Sequence, residues 1–114
     1  MKILTVCRAG LVRSVALADV LKLHFEPTDV LPMGKDFNSE DTKYMLYNWA
    51  DKIVVMEEHY KNSIPESYWH KTLVCEVGPD GYGSSKNPIL IDLVFSWARE
   101  HQDILGVKEH HNII

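Results

Sequence analysis

The residues near the start of the chain that could carry out chemistry are a cysteine and an arginine. The run from Cys7 to Ser14 has the form cysteine, five residues, arginine, serine, and contains one glycine, Gly10. A cysteine becomes a thiolate nucleophile in electropositive surroundings, and an arginine offers two parallel donors to the oxygens of a phosphate. This spacing therefore predicts an anion site with Cys7 as the nucleophile and Arg13 as the phosphate clamp.

The elements around this run support the same interpretation. Residues 2–6 form an apolar, β-favouring segment, and a helical pattern follows Arg13 until Pro27. A loop that leads into a helix N-terminus directs several backbone N–H groups at one point, where they bind phosphate and stabilise a thiolate. Gly10 permits a left-handed turn in such a loop, and Ser14 can donate a hydrogen bond to the thiolate. The predicted phosphate-binding residues are Arg8, Ala9, Gly10, Leu11, Val12, Arg13 and Ser14.

Strands alternate with helices along the rest of the chain. Three further strands are predicted at 29–31, 52–56 and 72–76. The segment 52–56 is apolar without alternation, as in a strand that helices cover on both faces of a parallel sheet. The pattern predicts an α/β three-layer domain with four parallel strands and helices on both faces.

Two of the predicted helices have recognisable starts. Asn38 or Ser39 can cap the helix that runs to about residue 50, and Asn87 precedes Pro88 at the start of the last helix. The apolar stripe predicted for this last helix consists of Leu90, Leu93, Val94, Trp97, His101 and Leu105.

Length and charge narrow the function classes. The chain of 114 residues has room for one hydrophobic core, so we expect a single domain over 1–114. A net charge of -4 without clustered Lys and Arg argues against general nucleic-acid binding. The apolar run at the start is too short for a signal peptide or a membrane span. We therefore expect a cytoplasmic protein that binds neither nucleic acid nor membrane.

The run from Val6 to Ser14 resembles the phosphate loop of the low-molecular-weight protein tyrosine phosphatases. Residues 50–59 resemble that family's strand leading into a helix with a Met followed by acidic residues, and residues 79–82 resemble its acid loop, all in the family's order. The resemblance implies a flavodoxin-like sheet, attack by Cys7 on an aryl phosphate such as phosphotyrosine, and a phosphocysteine intermediate. It also implies that Asp80 is the general acid, that Tyr82 is an aromatic wall for the substrate ring, and that no cofactor or metal is needed.

Three features depart from the family pattern. Ala9 and Gly10 stand where the family often has Gly and Asn, and Val12 stands where its animal members have a second cysteine. A disulfide next to Cys7 is therefore unavailable to protect it from oxidation. The segment 32–38 is also short compared with the family's substrate-recognition loop.

Other interpretations stay open at this point. Asp80 lies in a Pro-Asp-Gly run that is common in ordinary turns. A thioredoxin-coupled arsenate reductase would need Cys75 as a redox relay, although a buried inert thiol is the simpler role for that residue. A phosphocarrier, as in sugar phosphotransferase systems, or a phosphopeptide-binding module would use a similar fold. His110 and His111 lack a spaced set of ligands for a metal site.

Overall fold

The computed structural model describes residues 1–9, 11–27, 29–36 and 38–110, so the predicted loop residue Gly10 lies outside the description. Along the chain the elements are β1 (Lys2–Cys7), α1 (Arg13–His24), β2 (Phe25–Glu26), β3 (Asp29–Gly34), α2 (Glu40–Trp49), β4 (Lys52–Val55), two 3-10 helices (Glu58–Ser63 and Glu66–Lys71), β5 (Thr72–Val74), α3 (Pro88–Glu100), α4 (Gln102–Leu105) and β6 (Lys108–Glu109).

Four of these strands form one parallel sheet in the order β3-β1-β4-β5. In its register Cys7 lies opposite Gly34, and Val55 lies between Val6 and Val74. The carboxyl ends of all four strands therefore meet at one edge, where open α/β sheets bind their ligands. The predicted four-stranded parallel sheet is confirmed.

Helices cover both faces of this sheet. β1 is buried at every position from Ile3 to Cys7, which requires cover on each side. α1 packs against α3 and against β3, whereas α2 contacts β1. The flavodoxin-like, three-layer arrangement places the end of β1 and the start of α1 on either side of the predicted phosphate loop.

The helix starts differ in a way that bears on the site. The Ser39 hydroxyl accepts a hydrogen bond from the Thr42 amide at the start of α2, and the Asn87 side chain accepts from the Ile89 amide at the start of α3, so both predicted caps are confirmed. α1 follows Val12 and has no side-chain cap. Its first amides therefore rely on other acceptors.

Several details differ from the sequence-based expectations. Leu93 was predicted to lie in the buried stripe of α3, but it is 42% exposed, and Ala98 is buried on that face instead. The strand predicted at 29–31 continues to Gly34, because pairing with β1 extends along its whole length. β2 and β6 form an antiparallel pair that the sequence did not predict, since two-residue strands carry no periodic signal. Among the described residues, no helix is long and apolar enough to cross a membrane.

Candidate active site

The predicted nucleophile Cys7 ends β1 and lies against the first turn of α1. Its Sγ and the Oγ of Ser14 share a hydrogen bond across 3.0 Å, and both residues are buried. The hydroxyl of Thr5 donates to the Ser14 carbonyl at 2.8 Å, which fixes the backbone of that turn against β1. Two of the residues predicted from the sequence are thus brought together at the carboxyl edge of the sheet.

The end of β3 supports the loop from the side. The amides of Lys35 and Asp36 donate to the carbonyls of Cys7 and Arg8, at 2.9 and 3.1 Å. A Cβ atom on Gly34 would lie 2.4 Å from the carbonyl carbon of Ala9, a distance that no side chain tolerates. Glycine at position 34 is therefore what allows the loop to sit so close to β3.

Arg13, the predicted clamp, is fully buried and held by three partners. Its Nη1 donates to a carboxylate oxygen of Glu57 at 2.8 Å and to the carbonyl of Gly78 at 3.1 Å. Its Nη2 donates to the hydroxyl of Tyr60 at 3.0 Å. We call Glu57, Tyr60 and Gly78 the arginine bracket. None of the three was predicted from the sequence, where the available signal was an acidic residue just beyond the buried strand β4.

The pKa values within this bracket keep both partners of the ion pair charged. Burial by itself lowers the pKa of Arg13, but its hydrogen bonds to Glu57 and Tyr60 outweigh that effect and hold the pKa above its usual value. Burial by itself raises the pKa of Glu57, but Tyr60 and Arg13 outweigh it and hold the pKa below its usual value. A charged guanidinium is therefore present in the site at any pH near neutral.

One donor of Arg13 is left over. Its Nε is buried and has no hydrogen-bond partner within the part of the chain that the structure describes. A buried donor without a partner is destabilising by about 1–3 kcal/mol. Nε and the neighbouring N–H of Nη2 form the edge of a guanidinium that binds two phosphate oxygens at once. An anion in the predicted loop would complete this edge of the guanidinium.

The predicted general acid is not in contact with these groups. Asp80 is exposed and makes no hydrogen bond or ion pair with the described residues. It lies two positions beyond Gly78, whose carbonyl is bound by Arg13, and two residues span at most about 7 Å. Asp80 therefore belongs to a loop that is anchored at the clamp, and its carboxylate faces solvent.

Tyr82 is half-buried against the core, and its hydroxyl donates to the Val77 carbonyl. The side chain thus bridges the base of the loop that carries Asp80. The role of its ring as an aromatic wall for a substrate stays a prediction.

The exposed rim of the predicted phosphate loop carries charge and one apolar side chain. Arg8 and Lys35 both pair with Asp36, at 3.4 and 2.8 Å, and the hydrogen bond from Lys35 holds the pKa of Asp36 below its usual value. Leu11, on the same rim, is 72% exposed.

Cys75 lies apart from Cys7. It follows β5, and β4 separates it from β1, so two strand spacings of about 4.8 Å put their backbones about 9.6 Å apart. A disulfide needs Cα atoms within about 7 Å. Burial, with a smaller contribution from Glu76, raises the pKa of the Cys75 thiol strongly. These facts agree with the prediction of an inert, buried thiol.

Among the described residues, no group of three or more His, Cys, Asp or Glu side chains is placed to hold a metal ion. His110 has its Nε2 atom 3.4 Å from a carboxylate oxygen of Glu26, whereas His111 lies outside the described residues.

Comparison with solved structures identifies the architecture. The YwlE arginine phosphatase from Geobacillus stearothermophilus is 20% identical, with 92% of this chain and 88% of that chain covered and a TM-score of 0.55. Vibrio vulnificus Wzb in complex with benzylphosphonate is also 20% identical, with 87% of this chain and 97% of that chain covered and a TM-score of 0.50. The fold is that of the low-molecular-weight protein tyrosine phosphatases.

The predicted resemblance is therefore confirmed at the level of the fold, over about nine-tenths of the chain. No protein-family model and no curated protein sequence matches the chain. An identity of 20% establishes shared architecture, and the chemistry has to be argued from the side chains described above.

Proposed function

We propose that this protein is a cysteine-dependent phosphatase that hydrolyses phosphotyrosine or a similar aryl phosphomonoester. The observation that carries the proposal is the buried Nε of Arg13, which lacks a described partner beside a nucleophile already hydrogen-bonded to Ser14. A guanidinium that the protein holds by one edge can donate from its other edge to two oxygens of a phosphoryl group at once.

In the first step, the Cys7 thiolate attacks phosphorus while the bond from phosphorus to the aryl oxygen breaks. Arg13 and the loop amides stabilise the charge on the equatorial oxygens. Asp80, protonated in the substrate complex, gives its proton to the leaving oxygen, so that a neutral phenol departs. The enzyme is left with a phosphocysteine and an Asp80 carboxylate.

In the second step, water hydrolyses the phosphocysteine. Asp80 takes a proton from the water as its oxygen bonds to phosphorus and the sulfur–phosphorus bond breaks. Inorganic phosphate leaves, and the Cys7 thiolate and the protonated Asp80 are restored. Ser14 stabilises the thiolate at both ends of the cycle through its hydroxyl. The cycle needs no cofactor or metal.

An aryl substrate is supported by the apolar part of the rim. The exposed Leu11 offers an apolar surface within the loop. An aromatic leaving group that packed against Leu11 would remove this surface from water, which is favourable. The ring of Tyr82 is proposed as a second apolar contact. Wzb, which shares the fold, was solved with benzylphosphonate, a phosphonate that carries an aromatic ring. We further propose that residues 1–114 act as one domain and that the protein works in the cytoplasm.

The deciding experiment is hydrolysis of p-nitrophenyl phosphate and phosphotyrosine against pH, with EDTA and a reducing agent present. We expect turnover by the wild type, inhibition by vanadate and no turnover by Cys7→Ser. For Asp80→Asn we expect a rate that is reduced more with phosphotyrosine than with p-nitrophenyl phosphate, whose leaving oxygen needs less protonation. Activity in Cys7→Ser would refute the cysteine mechanism. Hydrolysis confined to alkyl phosphates or phosphoarginine would refute the aryl specificity.

A redox relay through Cys75 has a separate test. Because β4 lies between the two cysteines, we expect Cys75→Ala to keep its phosphatase kcat/KM within about twofold of wild type. Reductant-dependent arsenate reduction that is present in the wild type and lost in Cys75→Ala would favour the arsenate reductase alternative instead.

A further inference from the structure

The loop that carries Asp80 is held at both of its ends. At its first end, the carbonyl of Gly78 accepts from Arg13 at 3.1 Å, and Gly78 has a φ of 88°, a left-handed conformation that favours glycine. At its second end, Tyr82 is fixed twice. Its hydroxyl reaches back to the Val77 carbonyl, and its own carbonyl accepts from the Asn87 side chain at 3.0 Å.

These contacts connect the loop to rigid elements. Asn87 also caps α3 with its side-chain oxygen, at 2.9 Å from the Ile89 amide, so the second anchor belongs to the start of a helix. Val77 is buried in the core, which makes its carbonyl a fixed acceptor. Between the anchors lie residues 79–81, and Asp80, in their centre, makes no hydrogen bond or ion pair with the described residues.

We propose that Tyr82 is a positioning residue. Its hydroxyl binds the Val77 carbonyl and closes the loop, which holds the Asp80 carboxyl within reach of the substrate's leaving oxygen. This inference rests on the proposed function, since it assumes that Asp80 is the general acid. It gives the hydroxyl of Tyr82 a task that is distinct from an aromatic wall. A carboxyl group that makes no hydrogen bond or ion pair can be placed reproducibly only if the short segment that bears it is closed at both ends.

The test compares two substrates that differ in how much they need a general acid. p-Nitrophenyl phosphate releases a weakly basic oxygen that needs little protonation, whereas phenyl phosphate releases a more basic one. For Tyr82→Phe, which keeps the ring and removes the hydroxyl, we expect kcat/KM to fall about 5- to 10-fold with phenyl phosphate and less than about twofold with p-nitrophenyl phosphate. The inhibition constant of inorganic phosphate should not change.

Two further variants keep the test decisive. Asn87→Asp retains an oxygen that caps α3 and removes the donor to the Tyr82 carbonyl, so it should show the same dependence on the leaving group. Tyr68→Phe is the matched control, because it removes a hydroxyl that donates to Asn48 at 2.8 Å on another part of the surface. It should leave both substrates unaffected.

The results separate the two proposals. If the wild type hydrolyses neither substrate, the proposed function fails. A second outcome is that the wild type is active and Asp80→Asn is selectively slow with phenyl phosphate. If Tyr82→Phe is then unchanged, or equally slow with both substrates, only the positioning role is overturned. If Asp80→Asn shows no dependence on the leaving group, the general-acid role and the positioning role are overturned together.

Discussion

The guanidinium of Arg13 is a buried charge that the protein holds on one side and that we propose binds an anion on the other. Glu57, Tyr60 and Gly78 occupy one edge of the group, and Nε on the other edge has no partner in the described part of the chain. Such a division fixes the orientation of the guanidinium before a ligand arrives, which lowers the entropy lost on binding. The bracket is therefore as much a part of the site as the loop itself.

Glu57→Gln removes the negative charge that faces Arg13 and keeps a side chain of similar shape. We expect a loss of about 1–3 kcal/mol of stability in buffer without anions, since a buried cation loses its partner. Inorganic phosphate should then raise the Tm of the variant more than that of the wild type, because the bound anion replaces the missing charge. Thermal unfolding with and without phosphate measures both effects.

The matched control is Glu109→Gln. Glu109 pairs with the exposed Arg99, whose Nε lies 2.9 Å from a carboxylate oxygen of Glu109. There we expect a change of less than about 1 kcal/mol and the same phosphate response as wild type. An equal phosphate response in wild type and Glu57→Gln would count against the bracket.

The same pair should shape the stability of the protein in acid. The pKa of Glu57 in the folded protein lies below the usual value of 4.5, so its carboxylate stabilises the fold above that pH. As pH falls through the lowered pKa, the carboxylate takes up a proton and this stabilisation is lost. The difference in free energy of unfolding between wild type and Glu57→Gln should be largest at neutral pH and should decrease as the pH falls below 4.5. Denaturant unfolding at a series of pH values would show this, and a difference that persists at low pH would contradict it.

At the scale of elements, the predicted phosphate loop is shaped by its neighbours on both sides. β1 and α1 set its two ends, and the turn after β3 donates two amides to its carbonyls. The close approach of Gly34 to Ala9 makes the position of β3 relative to the loop depend on the absence of one methyl group.

Gly34→Ala tests this close approach. A Cβ atom 2.4 Å from the backbone of Ala9 must displace the loop. We expect a loss of about 1–3 kcal/mol of stability and a fall in kcat/KM of about tenfold or more, since misplaced phosphate donors weaken the transition state. For comparison, Gly81→Ala meets no atom within 4 Å and should change stability by less than about 0.5 kcal/mol. Equal stability of the two variants would show that the loop tolerates the methyl group.

The elements that the sequence predicted well are those whose signals are local. The order of β1, loop and α1 follows from a short apolar run before Cys7 and a helical pattern after Arg13, and Asn87 with Pro88 marks a helix start by itself. For the arginine bracket the only local signal was the acidic Glu57 just beyond β4, because Glu57, Tyr60 and Gly78 lie 44, 47 and 65 positions from Arg13 in the sequence. Only the parallel order of β1, β4 and β5 brings them to one edge.

For the molecule as a whole, stability depends on a cluster of buried side chains that, among the described residues, extends over both faces of the sheet. α3 contributes to it by packing against α1, on the face that also supports the start of the phosphate loop. The buried stripe predicted for α3 was too wide. Periodicity places Leu93 near the buried face of α3, but it does not show which residues of α3 are covered by α1.

Leu90 and Leu93 allow a matched test on the same helix. Leu90 is fully buried and Leu93 is 42% exposed. We expect Leu90→Ala to lower the free energy of unfolding by about 2–5 kcal/mol, and Leu93→Ala to lower it by less than about 1 kcal/mol. Chemical denaturation measures both. Similar losses would mean that the packing of α3 differs from the one described.

The burial of Arg13 also decides how a substrate finds the site. Its charge is enclosed and already faces Glu57, so little of its field extends into solvent, and the chain as a whole carries a net charge of -4. Counter-ions at physiological ionic strength screen exposed charges over about 8 Å, but they affect an enclosed ion pair far less. We therefore expect association rates that change little with salt concentration. On the proposed function, a phosphorylated substrate would then be selected after contact, inside the predicted loop, with little electrostatic attraction over longer distances.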